Sequence, residues 1–124
     1  MTNVIKQFIE NNIILIETHD WITLWTNWYK SGDDYYIEEF IAVLEYAGIN
    51  FEEESKEARI HILLNNIKKA FIKLSKDGKG ISFKDILLSL NSYLNFTQTE
   101  IKQIANVVAF EMGLKQLTGG WVKK

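Results

Sequence analysis

Between residues 60 and 74 the apolar side chains Ile60, Leu63, Leu64, Ile67, Phe71 and Leu74 recur at i, i+3 and i+4 spacing. Only a helix turns residues with that spacing to one side. The segment predicts a long amphipathic helix, and the rest of the chain has to supply partners for its stripe. With no Pro in 124 residues, helices must be ended by caps and glycines rather than by proline.

Such signals are present along the chain. Thr2 or Asn3 opens a first helix over about 3–17, weakened in the middle by Asn11 and Asn12. Asp20 reads as an N-cap for a second helix, its carboxylate accepting from free backbone N–H groups. The Ser31-Gly32-Asp33-Asp34 turn leads to a third helix over about 35–47, with Gly48 placed as a left-handed C-cap. Asn50 and Glu53 resemble a capping box for the long fourth helix. Asp77-Gly78-Lys79-Gly80 ends it. Ser82 opens a fifth helix, with Phe83, Ile86, Leu87, Leu90, Tyr93 and Leu94 inward. Thr97-Gln98-Thr99-Glu100 is the clearest capping box, starting a sixth helix that stops at Gly113. Ile, Tyr and Trp also favour strands, but strict alternation is absent. The expected fold is an all-α bundle of five to six helices, one domain over residues 1–114 with a flexible tail over 115–124.

Composition removes several classes of function. There is no Cys, so zinc fingers and thiol nucleophiles are excluded, and a reducing compartment fits. The apolar stretch over 12–16 is short and flanked by Glu10, Glu17 and Asp20, unlike a secretory signal. No run approaches the ~18 apolar residues of a membrane span. A cytoplasmic protein is expected. Only one of the 14 basic residues is Arg, which leaves little capacity for bidentate recognition of phosphate or guanine.

The net charge of −2 conceals a polarity. Residues 1–62 carry four cations against twelve carboxylates, a net −8, whereas residues 63–124 carry ten cations against four, a net +6. Such asymmetry points to interaction surfaces rather than to chemistry.

Two clusters compete for that role. Trp21, Trp25 and Trp28 fall at i, i+4 and i+7, on one face of the second helix, with Tyr29, Tyr35 and Tyr36 following. That spacing fits a core stripe. It also fits a partner-binding face, because Trp and Tyr dominate interface hot spots, with Asp33, Asp34 and Glu38 as an acidic rim for a basic partner. The second cluster is Lys69, Lys73 and Lys76, again at i, i+4 and i+7, with Lys68, Lys79 and Lys84 nearby. It reads either as a solvated helix face or as a set of phosphate contacts to nucleic acid. Opposite charged halves further allow pairing of two copies.

Catalytic and metal signatures are missing. His19 and His61 stand apart from any nucleophile–base pair, no phosphate loop or dinucleotide fingerprint occurs, and neither cofactor nor metal is expected. Ser75-Lys76-Asp77-Gly78-Lys79-Gly80-Ile81-Ser82 resembles part of an EF-hand loop. It departs from that pattern at Ser75, at Lys79 in the fifth ligand position, in a missing residue after Gly80, and in lacking the bidentate Glu. Phe96-Thr97-Gln98-Thr99-Glu100-Ile101 looks like the start of the middle helix of some helix-turn-helix repressors, but the periodic run continues to Met112 where a glycine turn and recognition helix would be needed.

Over about the first 50 residues, Phe8-Ile9-Glu10-Asn11-Asn12, Leu15-Ile16, Asp20-Trp21, Leu24-Trp25, Ile41, Leu44 and Ala47-Gly48-Ile49 resemble the N-terminal module of small accessory proteins encoded by phages and mobile elements of low-GC bacteria. The resemblance implies a bacterial host cytoplasm and a protein that binds a host or phage protein. The expected function is therefore non-enzymatic: inhibition or modulation of a host defence or replication protein by binding and occlusion. The alternative is an accessory nucleic-acid-binding protein using the lysine-rich face.

Overall fold

The computed structural model describes residues 1–124, the side chain of Asp77 excepted. Helices account for 67% of the residues, and a small three-stranded antiparallel sheet completes the secondary structure. The fold is thus mostly helical rather than all-α, with eight α-helices among the described residues in place of five to six. The chain divides into two compact units, Met1–Ile62 and Leu63–Lys124. The boundary coincides with the charge divide, so one unit is acidic and the other basic.

The first unit comprises α1 (Asn3–Asn11), α2 (Ile13–Glu17), α3 (Trp21–Ser31), α4 (Ile37–Tyr46), α5 (Phe51–Glu54) and the start of α6 (Lys56–Leu74). The expected first helix is broken at Asn12, which is 7% exposed. Its Nδ2 donates to the Phe8 carbonyl at 2.7 Å and its Oδ1 accepts from Asn27 Nδ2 at 2.8 Å. A side chain that satisfies the backbone in this way competes with helix continuation. Asp20 caps α3 as its position implied, accepting from the Thr23 amide at 3.2 Å. Asn50 makes no side-chain cap. Gly48 has φ +90, and the Ile49 amide reaches back to the Leu44 carbonyl at 3.1 Å to close α4.

Aromatic rings fill this unit. Trp25 stacks on Phe51 at 5.2 Å and Trp28 stacks on Phe40 at 4.8 Å, each pair within 5° of parallel. Phe8 meets Trp28 and Phe40 edge-on. Arg59, the only arginine, is buried with its guanidinium 5.8 Å from the Trp25 ring centre, and its Nη2 donates to the Glu52 carbonyl at 2.8 Å. The one side chain suited to bidentate recognition is therefore held inside the unit.

The second unit takes the rest of α6, then β1 (Ile81–Ser82), α7 (Phe83–Leu88), α8 (Gln98–Glu111), β2 (Leu114–Leu117) and β3 (Gly120–Lys123). The fifth helix is shorter than its periodicity implied. Leu94 and Asn95 adopt left-handed φ of 51 and 65, yet Leu90 and Leu94 remain buried from the connecting segment. Thr97 and Glu100 form the full capping box of α8.

The expected flexible tail is a β-hairpin. Strand order is β1-β3-β2, with Ile81 opposite Trp121 and Gln116 on the other flank of Trp121. Trp121 is 1% exposed, meets Phe71 edge-on at 5.0 Å, and donates from Nε1 to Asn106 Oδ1 at 3.0 Å. The physical reason is burial: a large ring in a segment expected to be mobile completes the core of this unit. Gly120 is required by close approach, because a Cβ there would run into the Ile81 carbonyl oxygen.

No helix among the described residues is long and apolar enough to cross a membrane.

Candidate docking surfaces

The tryptophan face is corrected by burial. Trp25 and Trp28 are wholly buried and Trp21 is 7% exposed, so the three rings form the core of the first unit and present no face to a partner. Their helical spacing was that of a core stripe. Tyr29 and Tyr36 are half-buried.

Tyr35 behaves differently. It sits in a single 3-10 turn over Asp34–Tyr36 and is 86% exposed. The turn is built by Asp33, whose Oδ1 accepts from the Tyr35 amide at 2.9 Å while its carbonyl accepts from the Tyr36 amide at 2.8 Å. Asp34 ties the turn to the core by accepting from Trp28 Nε1 at 3.2 Å. The Tyr36 ring supports that of Tyr35 edge-on at 5.0 Å. Asp33 and Glu38 are exposed around it. The outcome is an exposed aromatic side chain on a hydrogen-bonded turn within an acidic border.

Glu39, next along α4, is held by the N-terminal segment. Thr2 donates to it from its hydroxyl at 2.7 Å and from its amide at 3.1 Å. The Thr2 hydroxyl, followed by the amide, lowers the Glu39 pKa below its ordinary value. A carboxylate whose folded pKa is depressed contributes stability above its unfolded pKa, and that contribution is lost as pH falls through the folded value. Thr2→Val should return the Glu39 pKa upward in an NMR titration and soften the acid end of the stability profile. An unchanged titration would show that the hydroxyl contact is absent in solution.

In the second unit, Lys68, Lys69 and Lys73 are exposed on α6, Lys76 in the turn after it, and Lys79 and Lys84 around β1. All six lysines of the expected basic cluster reach solvent. Among them Ile72 is 50% exposed, while Leu63, Ile67 and Phe71 of the same helix are buried.

The remaining polar groups offer other geometry. His19, with φ 55, stacks on Trp21 at 4.7 Å and its Nδ1 lies 2.7 Å from Glu54 Oε1. His61 is exposed on α6. Among the described residues no group of three His, Cys, Asp or Glu converges as metal ligands. The EF-hand-like segment shows helix, turn, strand and helix in that order, with Ile81 paired to Trp121. A strand hairpin follows α8, where a helix-turn-helix would need a second helix. A cleft of about 380 Å³ in the first unit is lined by Phe8, Asn11, Asn12, Asn27, Lys30 and Ser31. Its polar groups are amides, an ammonium and a hydroxyl that donates to the Asn27 carbonyl.

Comparison with family models, curated proteins and solved structures returns no match.

Proposed function

We propose that this chain is a non-enzymatic docking protein whose first unit binds a basic protein surface through Tyr35 and its acidic border. The observation that carries the reading is the 86% exposure of Tyr35 on a turn that Asp33 and Asp34 hold in place. Exposing a large aromatic ring on a braced turn gives contact area at small entropic cost on binding. The unit's net −8 would steer a basic partner and repel acidic ones. Bound there, the protein would occlude that surface, competing with any polyanion the partner holds. The resemblance of the N-terminal segment to phage accessory proteins fits a partner among host defence or replication proteins.

The test is affinity for a short Lys/Arg-rich peptide and for the same peptide with Glu in place of the basic residues. Only the basic peptide should bind, and Tyr35→Ala should weaken it about tenfold, roughly 1.4 kcal/mol. Equal binding by wild type and Tyr35→Ala removes the proposed surface.

A second reading is favoured by the six exposed lysines of the second unit. With Arg59 buried, they would contact phosphates without reading sequence. Affinity for duplex DNA should then fall linearly in log–log plots against salt, with a slope near −0.9 per lysine engaged. A flat dependence excludes that reading.

A further inference from the structure

We infer that the Tyr35 surface of one copy of this chain docks on the Ile72 ridge of a second copy. The inference rests on the reading of Tyr35 as a docking residue and adds the occupant.

The two surfaces have the same anatomy with opposite sign. Ile72 is 50% exposed on α6. Lys68 and Lys69 lie one turn before it, Lys73 beside it and Lys76 in the turn that follows, all exposed. Residues three and four apart on a helix are surface neighbours, so this is an apolar centre in a basic border. Tyr35 is 86% exposed, with Asp33 and Glu38 exposed around it: an aromatic centre in an acidic border. Specific interfaces have this form, an apolar core inside a polar rim.

The chemistry of contact follows. The Tyr35 ring can lie on Ile72 and on the methylene stems of the flanking lysines, with an ammonium over its face. Asp33 and Glu38 then meet the remaining lysines at the rim, where ion pairs steer and register the partners more than they add affinity. The charge divide supports this at longer range, since the acidic unit of one copy, net −8, would attract the basic unit of another, net +6. Each copy carries both surfaces, so the contact either closes into a dimer or larger ring or continues from copy to copy. In both cases a basic partner must displace the second copy to reach Tyr35, which would make docking concentration-dependent.

The experiment is the solution mass of the full chain by light scattering, at about 0.05 M and about 0.5 M salt. At low salt the mass should exceed the monomer's 14.5 kDa and return to it at high salt. Two charge-reversed variants, Asp33→Lys with Glu38→Lys, and Lys69→Glu with Lys73→Glu, should each be monomeric at low salt. Mixed in equal amounts they should regain the higher mass, because each reversed surface again meets its opposite. Tyr35→Ala and Ile72→Ser leave the charge unchanged and should each weaken association about tenfold. Circular dichroism establishes that every variant is folded. Monomeric wild type at low salt overturns the inference, as does a higher mass that none of these changes affects. If the wild type is monomeric yet binds the basic peptide through Tyr35, self-pairing fails and the proposed function stands. Loss of both overturns both.

Discussion

Replacing Trp25 with alanine should cost about 3–5 kcal/mol of folding stability, the range for truncating a large buried aromatic side chain. Trp25 is wholly buried and touches rings on several sides: it stacks on Phe51 and meets Trp28 and Phe40 edge-on at 6.3 and 5.6 Å. Its removal also leaves the Arg59 guanidinium without the ring it lies over. A unit of about 60 residues has little reserve, so the loss should leave the first unit largely unfolded at room temperature. Trp25→Phe separates ring packing from the indole N–H. Trp25 Nε1 is buried without a hydrogen-bond partner, so phenylalanine removes an unsatisfied donor and keeps the stack. Its cost should be well under that of alanine. Urea unfolding followed by far-ultraviolet circular dichroism measures both. A Trp25→Ala loss below about 1 kcal/mol would contradict its place in the core.

The same residues show how much of the fold was legible. Periodicity at 3.6 picked out the centre of each stripe, with Leu63, Ile67 and Phe71 on α6 and Ile101, Ala105 and Val108 on α8 buried, while Ile60, Leu64, Leu74, Ile104 and Met112 of the same stripes are half-buried. Caps with a side-chain oxygen at the right offset were legible too, at Asp20 and Thr97. Periodicity does not say what lies opposite a stripe. The spacing of Trp21, Trp25 and Trp28 fits a core stripe first and an interface second, and the packing of Phe40 and Phe51 on them makes it core. The first unit's core combines Trp21, Trp25, Trp28, Phe40 and Phe51 with aliphatic side chains such as Ile5, Leu24 and Leu44, and that mixture absorbs the three tryptophans. Of the expected acidic and aromatic cluster, Tyr35 with Asp33 and Glu38 stays on the surface, and no spacing rule separates Tyr35 from Trp28. Ile72 carried a spacing cue, since it lies off the stripe and four and three residues after Lys68 and Lys69, but spacing alone does not say how far an off-stripe isoleucine is exposed. The break at Asn12 had a local cue in Asn11-Asn12, but a cue for weakening differs little from one for ending a helix.

Trp121→Ala should cost the second unit a comparable 3–5 kcal/mol, where a mobile tail would have predicted no loss. The residue is 1% exposed and meets Phe71 and Phe83 edge-on. Truncation opens a cavity beside Phe71 and removes the donor that satisfies Asn106 Oδ1. It also loosens the sheet, because Trp121 is the residue of β3 that faces both Ile81 of β1 and Gln116 of β2. The sequence does hold a signal for this hairpin: two short runs separated by the two residues Thr118-Gly119, with Gly119 at φ +81. A terminal position and a Gly-Gly pair outweighed it, and four-residue strands give too little alternation to register. Hydrogen exchange supplies the second readout. The Phe83 amide donates to the Gly119 carbonyl at 2.8 Å, linking the start of α7 to the hairpin. In the wild type that amide should be protected alongside the amides of α8, and Trp121→Ala should expose it to exchange while α8 retains more of its protection. Rapid exchange at Phe83 in the wild type, or a stability loss under about 0.5 kcal/mol, would return residues 115–124 to the mobile tail that their composition suggests.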